Sequence, residues 1–125
     1  MLRPLVAIID DDPSVRKALT RLLTAGSFEV DTFASAQDFL ATGLQRAPAC
    51  LILDIHLGGM SGLDLQEHLV ALGAAVPAIF ITAHDDAATR ARAAQAGAAG
   101  YLRKPFDQHA LFQAIYLAMG PKRVH

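Results

Sequence analysis

The stretch PLVAIIDDDPSVRKALTRLLTAG, residues 4–26, carries the clearest structural signal in this chain. It begins with a short apolar run, continues with three consecutive aspartates, and ends in a segment whose apolar residues recur at helical spacing. Such an apolar run is typical of a strand that is covered on both faces. Gly26 is a suitable helix end. The stretch therefore predicts a buried strand, a helix, and a group of carboxylates at the junction between them.

The same alternation continues along the chain. Further apolar runs lie at residues 28–33, 49–53, 77–82 and 99–103. Segments with helical spacing follow them at residues 35–44, 61–73, 86–97 and 107–120. The segment at 61–73 has Leu65, Leu69 and Leu72 as its apolar stripe. Short right-handed connections between strands and helices give a parallel sheet with helices on both faces. The predicted fold class is therefore α/β, with one domain over residues 1–120 and a tail or truncated linker over residues 121–125.

Composition excludes several classes of protein. The 125 residues carry a net charge of −1, so the chain has no general attraction to nucleic acid or to an anionic membrane. The only cysteine, Cys50, rules out a disulfide scaffold, and its place beside an apolar run predicts a core residue. No signal peptide and no membrane span are apparent. We expect a cytoplasmic protein.

Reactive side chains stand at four of the five predicted strand ends. Asp10 and Asp11 end the first strand, and Asp54, Thr82 and Lys104 end or follow the third, fourth and fifth. The carboxyl ends of parallel strands lie at one edge of a sheet, where α/β proteins bind ligands. Each residue alone could be a cap or a solvated side chain. Their convergence predicts a site. By contrast, Asp12 before Pro13 is more typical of a helix N-cap.

The charges at this edge predict a metal ion. Asp10, Asp11 and Asp54 contribute −3 and Lys104 contributes +1, which leaves −2. Two carboxylates ~4 Å apart repel by roughly 4 kcal/mol at an effective dielectric constant of ~20. A hard cation with oxygen ligands relieves that repulsion, and Mg²⁺ fits best. A metal beside an aspartate, a hydroxyl and a lysine indicates phosphoryl transfer with Asp54 as the nucleophile.

The motifs IIDDDPSVR, LILDIHLGGMSGLDL, PAIFITAHDD and AGAAGYLRKPF make the sequence similar to the receiver domains of bacterial two-component response regulators. The resemblance covers residues 5 to about 118 and is closest to the FixJ-like subgroup. It implies a flavodoxin-like and CheY-like (βα)5 three-layer sandwich with the strand order 2-1-3-4-5. It also implies phosphorylation by a sensor histidine kinase, homodimerisation on phosphorylation, and control of a partner or of a DNA-binding output domain. This domain itself would not contact nucleic acid.

The resemblance also implies roles for individual residues. Asp54 is the phosphoacceptor, Asp11 binds Mg²⁺ directly, Asp10 binds it through water, and the backbone carbonyl of His56 completes the protein ligands. Lys104 binds the phosphate and precedes a cis proline.

Thr82 is the switch hydroxyl in this scheme, and Tyr101 is the aromatic residue that reorients on activation. Where many family members have a proline, four residues after Asp54, this chain has Gly58, so we expect a more flexible loop. His56 and His84 lie two residues beyond Asp54 and Thr82. We expect them to tune the lifetime of the phosphate and its pH dependence, although both could simply be solvated.

The last helical segment carries two apolar stripes. Phe112, Tyr116 and Met119 form the second one, which the core does not need. An exposed apolar stripe would suit a partner or a homodimer, unless a crossing loop covers it.

Two other classes of function stay open at this point. A Mg²⁺-dependent phosphatase of the haloacid dehalogenase type also uses an aspartate nucleophile at a strand end, but it needs a second acid where this chain has His56. A flavodoxin-like module that binds partners or FMN without phosphorylation would need a phosphate loop after the first strand, and no such loop is apparent.

Overall fold

The computed structural model describes residues 3–120, in which strands and helices alternate as the sequence predicts. The elements are β1 Leu5–Ile9, α1 Pro13–Ala25, β2 Glu29–Phe33, α2 Ala36–Thr42, a 3₁₀ helix Gly43–Arg46, β3 Cys50–Asp54, α3 Gly62–Ala71, β4 Ala78–Thr82, α4 Ala87–Gln95, β5 Gly100–Arg103 and α5 Gln108–Met119. The predicted tail at residues 121–125 lies outside the described residues. No described helix has both the length and the apolar character that a membrane crossing needs.

The five strands form one parallel sheet in the order β2-β1-β3-β4-β5. The α/β class and the predicted strand order are therefore confirmed. The order places β1 and β3 side by side, with Ile9 opposite Leu53. As a result, the acids that follow Ile9 and Leu53 meet at the same edge.

Two apolar layers enclose the sheet. Every residue of β1, β3 and β4 is buried, which explains why these runs are almost purely apolar. On one face Phe39 of α2 and Leu65 of α3 pack against Phe80. On the other face Leu23 of α1 and Ile115 of α5 share a core cluster with Ile8. The sheet is thus the middle layer of a three-layer sandwich.

Polar caps fix where the helices begin. The Asp12 carboxylate accepts the Ser14 N–H at 2.8 Å, and Pro13 is the first residue of α1, so the predicted capping role of Asp12 is confirmed. Asp107 caps α5 by accepting the Ala110 N–H at 2.7 Å. Because each helix has a definite first residue, each loop that carries site residues has a definite length.

Candidate functional site

The three predicted acids meet at the carboxyl edge of the sheet. Ligand atoms of Asp10, Asp11 and Asp54 all lie within 4.8 Å of one another. Asp10 is fully buried and Asp54 is only 5% exposed, whereas Asp11 faces solvent. Two buried carboxylates and one solvent-exposed carboxylate thus bring their oxygens together, and such a set suits a hard divalent cation.

Lys104 crosses from the end of β5 to both buried acids. Its ammonium lies 3.0 Å from Asp10 Oδ2 and 3.4 Å from Asp54 Oδ2. Burial opposes the charge on Lys104, but the hydrogen bond to Asp10 and the two carboxylate charges outweigh burial and raise the pKa of Lys104. The lysine therefore stays protonated at neutral pH.

The ionised form of Asp54 remains disfavoured in spite of the nearby Lys104. Burial raises the pKa of the Asp54 carboxyl, and the charge of Asp10 raises it further. The hydrogen bond from the His56 N–H, at 3.1 Å, and the charge of Lys104 offset this only in part. A cation beside Asp54 would favour its ionised form, so the residues present fit a metal ion.

Backbone contacts hold the acids in place, and two of the residues involved were not predicted from sequence. The Asp12 N–H donates to Asp10 Oδ1 at 2.9 Å, and the Arg16 guanidinium donates to the Asp10 carbonyl oxygen at 2.7 Å. Gly62 lies so close to the Asp54 carbonyl that an added Cβ would be 2.2 Å from the oxygen. Glycine at the start of a helical segment was the available signal for the Gly62 contact. No pattern in the sequence indicated the Arg16 contact.

Thr82 ends β4, the strand next to β3, and is fully buried. Its hydroxyl donates to the His84 carbonyl oxygen at 3.2 Å and accepts the His84 N–H at 3.0 Å. The hydroxyl is therefore bonded to its own loop, and it would have to leave these contacts to bond a group on Asp54.

A family model for the response regulator receiver domain matches residues 6–116. The chain belongs to the response regulator receiver family. Nodulation protein W of Bradyrhizobium diazoefficiens is 39% identical over 116 residues, covering 93% of this chain and 51% of that protein. FixJ of Rhizobium meliloti is 36% identical over 110 residues, covering 88% of this chain and 54% of that protein. The solved structure of FixJ-N is 35% identical with a TM-score of 0.87 and 95% of each chain covered.

Family membership makes this chain a receiver domain of a signalling protein. The chain spans about half the length of the curated relatives it matches. The low-identity likeness to CheY4 of Vibrio cholerae, at 22% and a TM-score of 0.85, supports the fold alone.

Tyr101 of this receiver domain is tethered by two residues that the sequence did not single out. Its hydroxyl donates to Asp85 Oδ1 at 3.1 Å, and the Arg90 guanidinium lies 5.0 Å from the centre of its ring. Arg90 also pairs with Asp85 at 2.5 Å, and this hydrogen bond lowers the pKa of the Asp85 carboxyl. The aromatic residue thus has a defined position against the loop that follows Thr82.

The side chains of His56 and His84 are both exposed and lie edge to face, with ring centres 5.1 Å apart. Their backbones are fixed by the hydrogen bonds to Asp54 and Thr82, whereas their rings extend from the receiver site towards solvent. Two loops of the receiver site therefore each present one imidazole at the same place.

The predicted apolar stripe on α5 is only partly exposed, and the prediction is wrong for Met119, which is 9% exposed. Phe112 is half-buried and stacks on Phe28, with ring centres 6.0 Å apart. The physical reason is that Phe28, just before β2, packs against this stripe: its ring also lies 6.0 Å from that of Tyr116, and it belongs to the same buried core cluster as Met119. Only Tyr116, which is 55% exposed, remains available to a partner.

Proposed function

We propose that this receiver domain is a phosphoryl-accepting switch in which Asp54 takes a phosphoryl group from the phosphohistidine of a sensor histidine kinase. The observation that carries the proposal is the pair of buried carboxylates, Asp10 and Asp54, bridged by Lys104 at the end of adjacent strands. A merely structural ion pair would not need a second desolvated acid or the exposed Asp11 beside it.

The proposed cofactor is Mg²⁺. Asp11 and Asp54 would hold it directly, Asp10 through a water molecule, and the His56 backbone carbonyl would complete the protein's share of the ligands. When bound, the ion supplies charge neutralisation for the phosphoryl oxygens and for the clustered carboxylates.

Asp54 would act as the nucleophile. One carboxylate oxygen forms a bond to phosphorus while the phosphorus–nitrogen bond of the donor breaks, and the released imidazole takes up a proton from solvent. Lys104 already lies 3.4 Å from the Asp54 carboxylate, so its ammonium can stabilise the negative charge on the phosphoryl oxygens without a large movement. The receiver would catalyse only its own phosphorylation and dephosphorylation.

Thr82 and Tyr101 would transmit the change. A phosphoryl group adds about −1.5 to −2 charge and three acceptor oxygens at Asp54. The Thr82 hydroxyl would exchange its bonds to His84 for a bond to the phosphate. This exchange would rearrange the loop that carries Asp85, and with it the contact that holds Tyr101. The surface of α4, β5 and α5 would then differ between the two states.

The output of the whole protein is part of the same proposal. Curated relatives of about twice this length include the transcriptional regulatory proteins TdiR of Thauera aromatica and FixJ of Azorhizobium caulinodans. A DNA-binding output domain and a phosphorylation-dependent homodimer would fit such a protein, with Tyr116 as the exposed part of the predicted α5 surface. A cytoplasmic location stays a prediction from the sequence.

An apolar groove suggests where the kinase would dock. It has a volume of about 540 Å³ and runs beside Lys104 between α1 and the loop before α5. Its other lining residues are Val15, Ala18, Leu19, Leu22, Ala83, Pro105 and Phe106. A helix of the kinase seated there would bring its phosphohistidine to the site edge.

His56 and His84 would affect the lifetime of the phosphate. Their rings lie on the two loops next to the phosphoacceptor, so they border a path by which water could reach it. Replacing both by alanine should change the rate of dephosphorylation. An unchanged rate would show that the two side chains are only solvated.

The decisive experiment is intact-mass measurement after incubation with acetyl phosphate and Mg²⁺. We expect one phosphoryl adduct on the wild type, and none on Asp54→Asn or after chelation with EDTA. An adduct that persists in Asp54→Asn would place the acceptor elsewhere. If no adduct forms even on transfer from a phosphorylated kinase, the switch chemistry is wrong.

A further inference from the structure

The paired imidazoles of His56 and His84 are a feature that phosphoryl transfer does not require. Both side chains are exposed, and within residues 3–120 neither ring makes a hydrogen bond or an ion pair. Their backbone positions are fixed because each N–H donates to a residue at a strand end, Asp54 or Thr82. Two imidazoles held beside each other, with no hydrogen-bond partner for their ring nitrogens among the described residues, have the chemistry of a metal-binding pair.

The spacing of the rings fits a single shared cation. In zinc proteins the metal–nitrogen distance is about 2.0–2.1 Å, and a tetrahedral angle between two such ligands puts the ring centres about 5 Å apart. The observed separation is 5.1 Å, with the ring planes at 89°. Neither exposed ring has a hydrogen-bond partner among the described residues to give up when it turns one nitrogen towards a shared cation.

The surroundings favour a cation. Asp86 caps α4 from the same loop as His84, and its carboxylate interacts electrostatically with His56. Asp54, one of the three clustered carboxylates, accepts the His56 backbone N–H at 3.1 Å. Negative charge close to an imidazole pair raises the local concentration of divalent cations.

We propose that His56 and His84 form a second metal site, which takes a divalent transition cation such as Zn²⁺ and differs from the carboxylate site in its ligand chemistry. Mg²⁺ prefers oxygen ligands and would not compete for two imidazoles. The proposal does not depend on phosphorylation. A cation bound to both rings would link the loop after β3 to the loop after β4.

Calorimetric titration with Zn²⁺ at neutral pH, in saturating Mg²⁺ and on untagged protein, tests the site. Saturating Mg²⁺ competes with Zn²⁺ for the carboxylates, and the Asp11→Asn variant identifies any Zn²⁺ that still binds there. We expect one Zn²⁺ per chain, with binding weakened roughly tenfold or more in His56→Ala and in His84→Ala; even the loss of an outer-shell partner of a metal ligand has an effect of that size. His109→Ala is the matched control, because His109 is an exposed histidine on α5 and belongs to neither of the two loops.

Histidine ring ¹⁵N spectra supply a readout at the ligand atoms themselves. On addition of Zn²⁺ the ring nitrogens of His56 and His84 should shift, and those of His109 should not. The proposal is overturned if either alanine variant binds Zn²⁺ as tightly as the wild type. It is equally overturned if Asp11→Asn, and not the histidine variants, abolishes binding, because the ion would then belong to the carboxylate site.

Discussion

At the scale of single residues, the unliganded fold disfavours the charged form of Asp54. Burial and the neighbouring Asp10 raise the pKa of Asp54 above the ordinary value of 3.8. A carboxyl whose pKa is higher in the folded state contributes most to stability below the unfolded value, and that contribution is lost as pH rises through the folded pKa. At neutral pH the ionised side chain is therefore a destabilising feature.

We accordingly expect Asp54→Asn to stabilise the metal-free domain at pH 7 by on the order of 1 kcal/mol, a size ordinary for one side chain. The amide keeps the shape and removes the charge. Urea unfolding in EDTA at several pH values would measure this difference in the free energy of unfolding. The advantage of the variant should shrink as pH falls towards 4, and an advantage independent of pH would contradict the argument.

Gly62 is required by a backbone contact and not by its conformation. A Cβ at this position would lie 2.2 Å from the Asp54 carbonyl oxygen, which is part of the backbone and cannot rotate away. Gly62→Ala should therefore destabilise the domain by roughly 1–3 kcal/mol, as overpacking does, and lower phosphorylation of Asp54. Gly58→Ala is the matched control, because nothing lies within 4 Å of its added Cβ. Equal thermal stability of the two variants would refute the close-contact explanation.

At the scale of helices and strands, the sequence predicted which elements form, and in what order, better than it predicted which residues each element packs against. The apolar runs gave each strand to within about one residue because both faces of the central strands are buried. Helical spacing gave the inward face of α3 but failed at Leu72, which is 59% exposed because α3 ends at Ala71. Helical spacing failed at Met119 for another reason, because periodicity within α5 cannot reveal that Phe28 belongs to the same buried cluster.

The N-cap of α5 allows a prediction about a whole element. Asp107 accepts the Ala110 N–H at 2.7 Å, so Asp107→Ala leaves that donor without its partner. We expect a loss of about 0.5–2 kcal/mol in the free energy of unfolding, measured in urea, and nearly full stability for Asp107→Asn, since asparagine also caps. If asparagine destabilised the domain as much as alanine, the charge of Asp107 and not its capping bond would be responsible.

For the molecule as a whole, topology explains why much of the site could be predicted. Parallel strands bring their carboxyl ends together, so acids at the ends of two apolar runs indicate a shared site from the sequence alone. The remaining parts come from tertiary contacts between distant segments. Arg90 and Asp85 hold Tyr101 across a loop and a helix, and Arg16 reaches back to the Asp10 carbonyl from α1. No local pattern marks such contacts.

The groove beside Lys104 leads to a prediction that separates chemistry from partner recognition. Ala18 lines the groove and is exposed on α1. It takes no part in the hydrogen bonds and ion pairs that hold the carboxylates among the described residues. A long charged side chain there would fill the apolar surface at which we propose that the kinase docks. Ala18→Arg should therefore slow phosphoryl transfer from the kinase by about tenfold or more, which corresponds to about 1.4 kcal/mol at the interface.

The same variant should take a phosphoryl group from acetyl phosphate at the wild-type rate, since a small donor reaches Asp54 without crossing the groove. Ala41→Arg, at an exposed alanine on α2 on the opposite face of the sheet, provides the control and should leave both reactions unchanged. If Ala18→Arg slowed both donors equally, the substitution would have disturbed the site itself. If it slowed neither, the kinase would dock elsewhere on the receiver, and the groove would have no part in recognition.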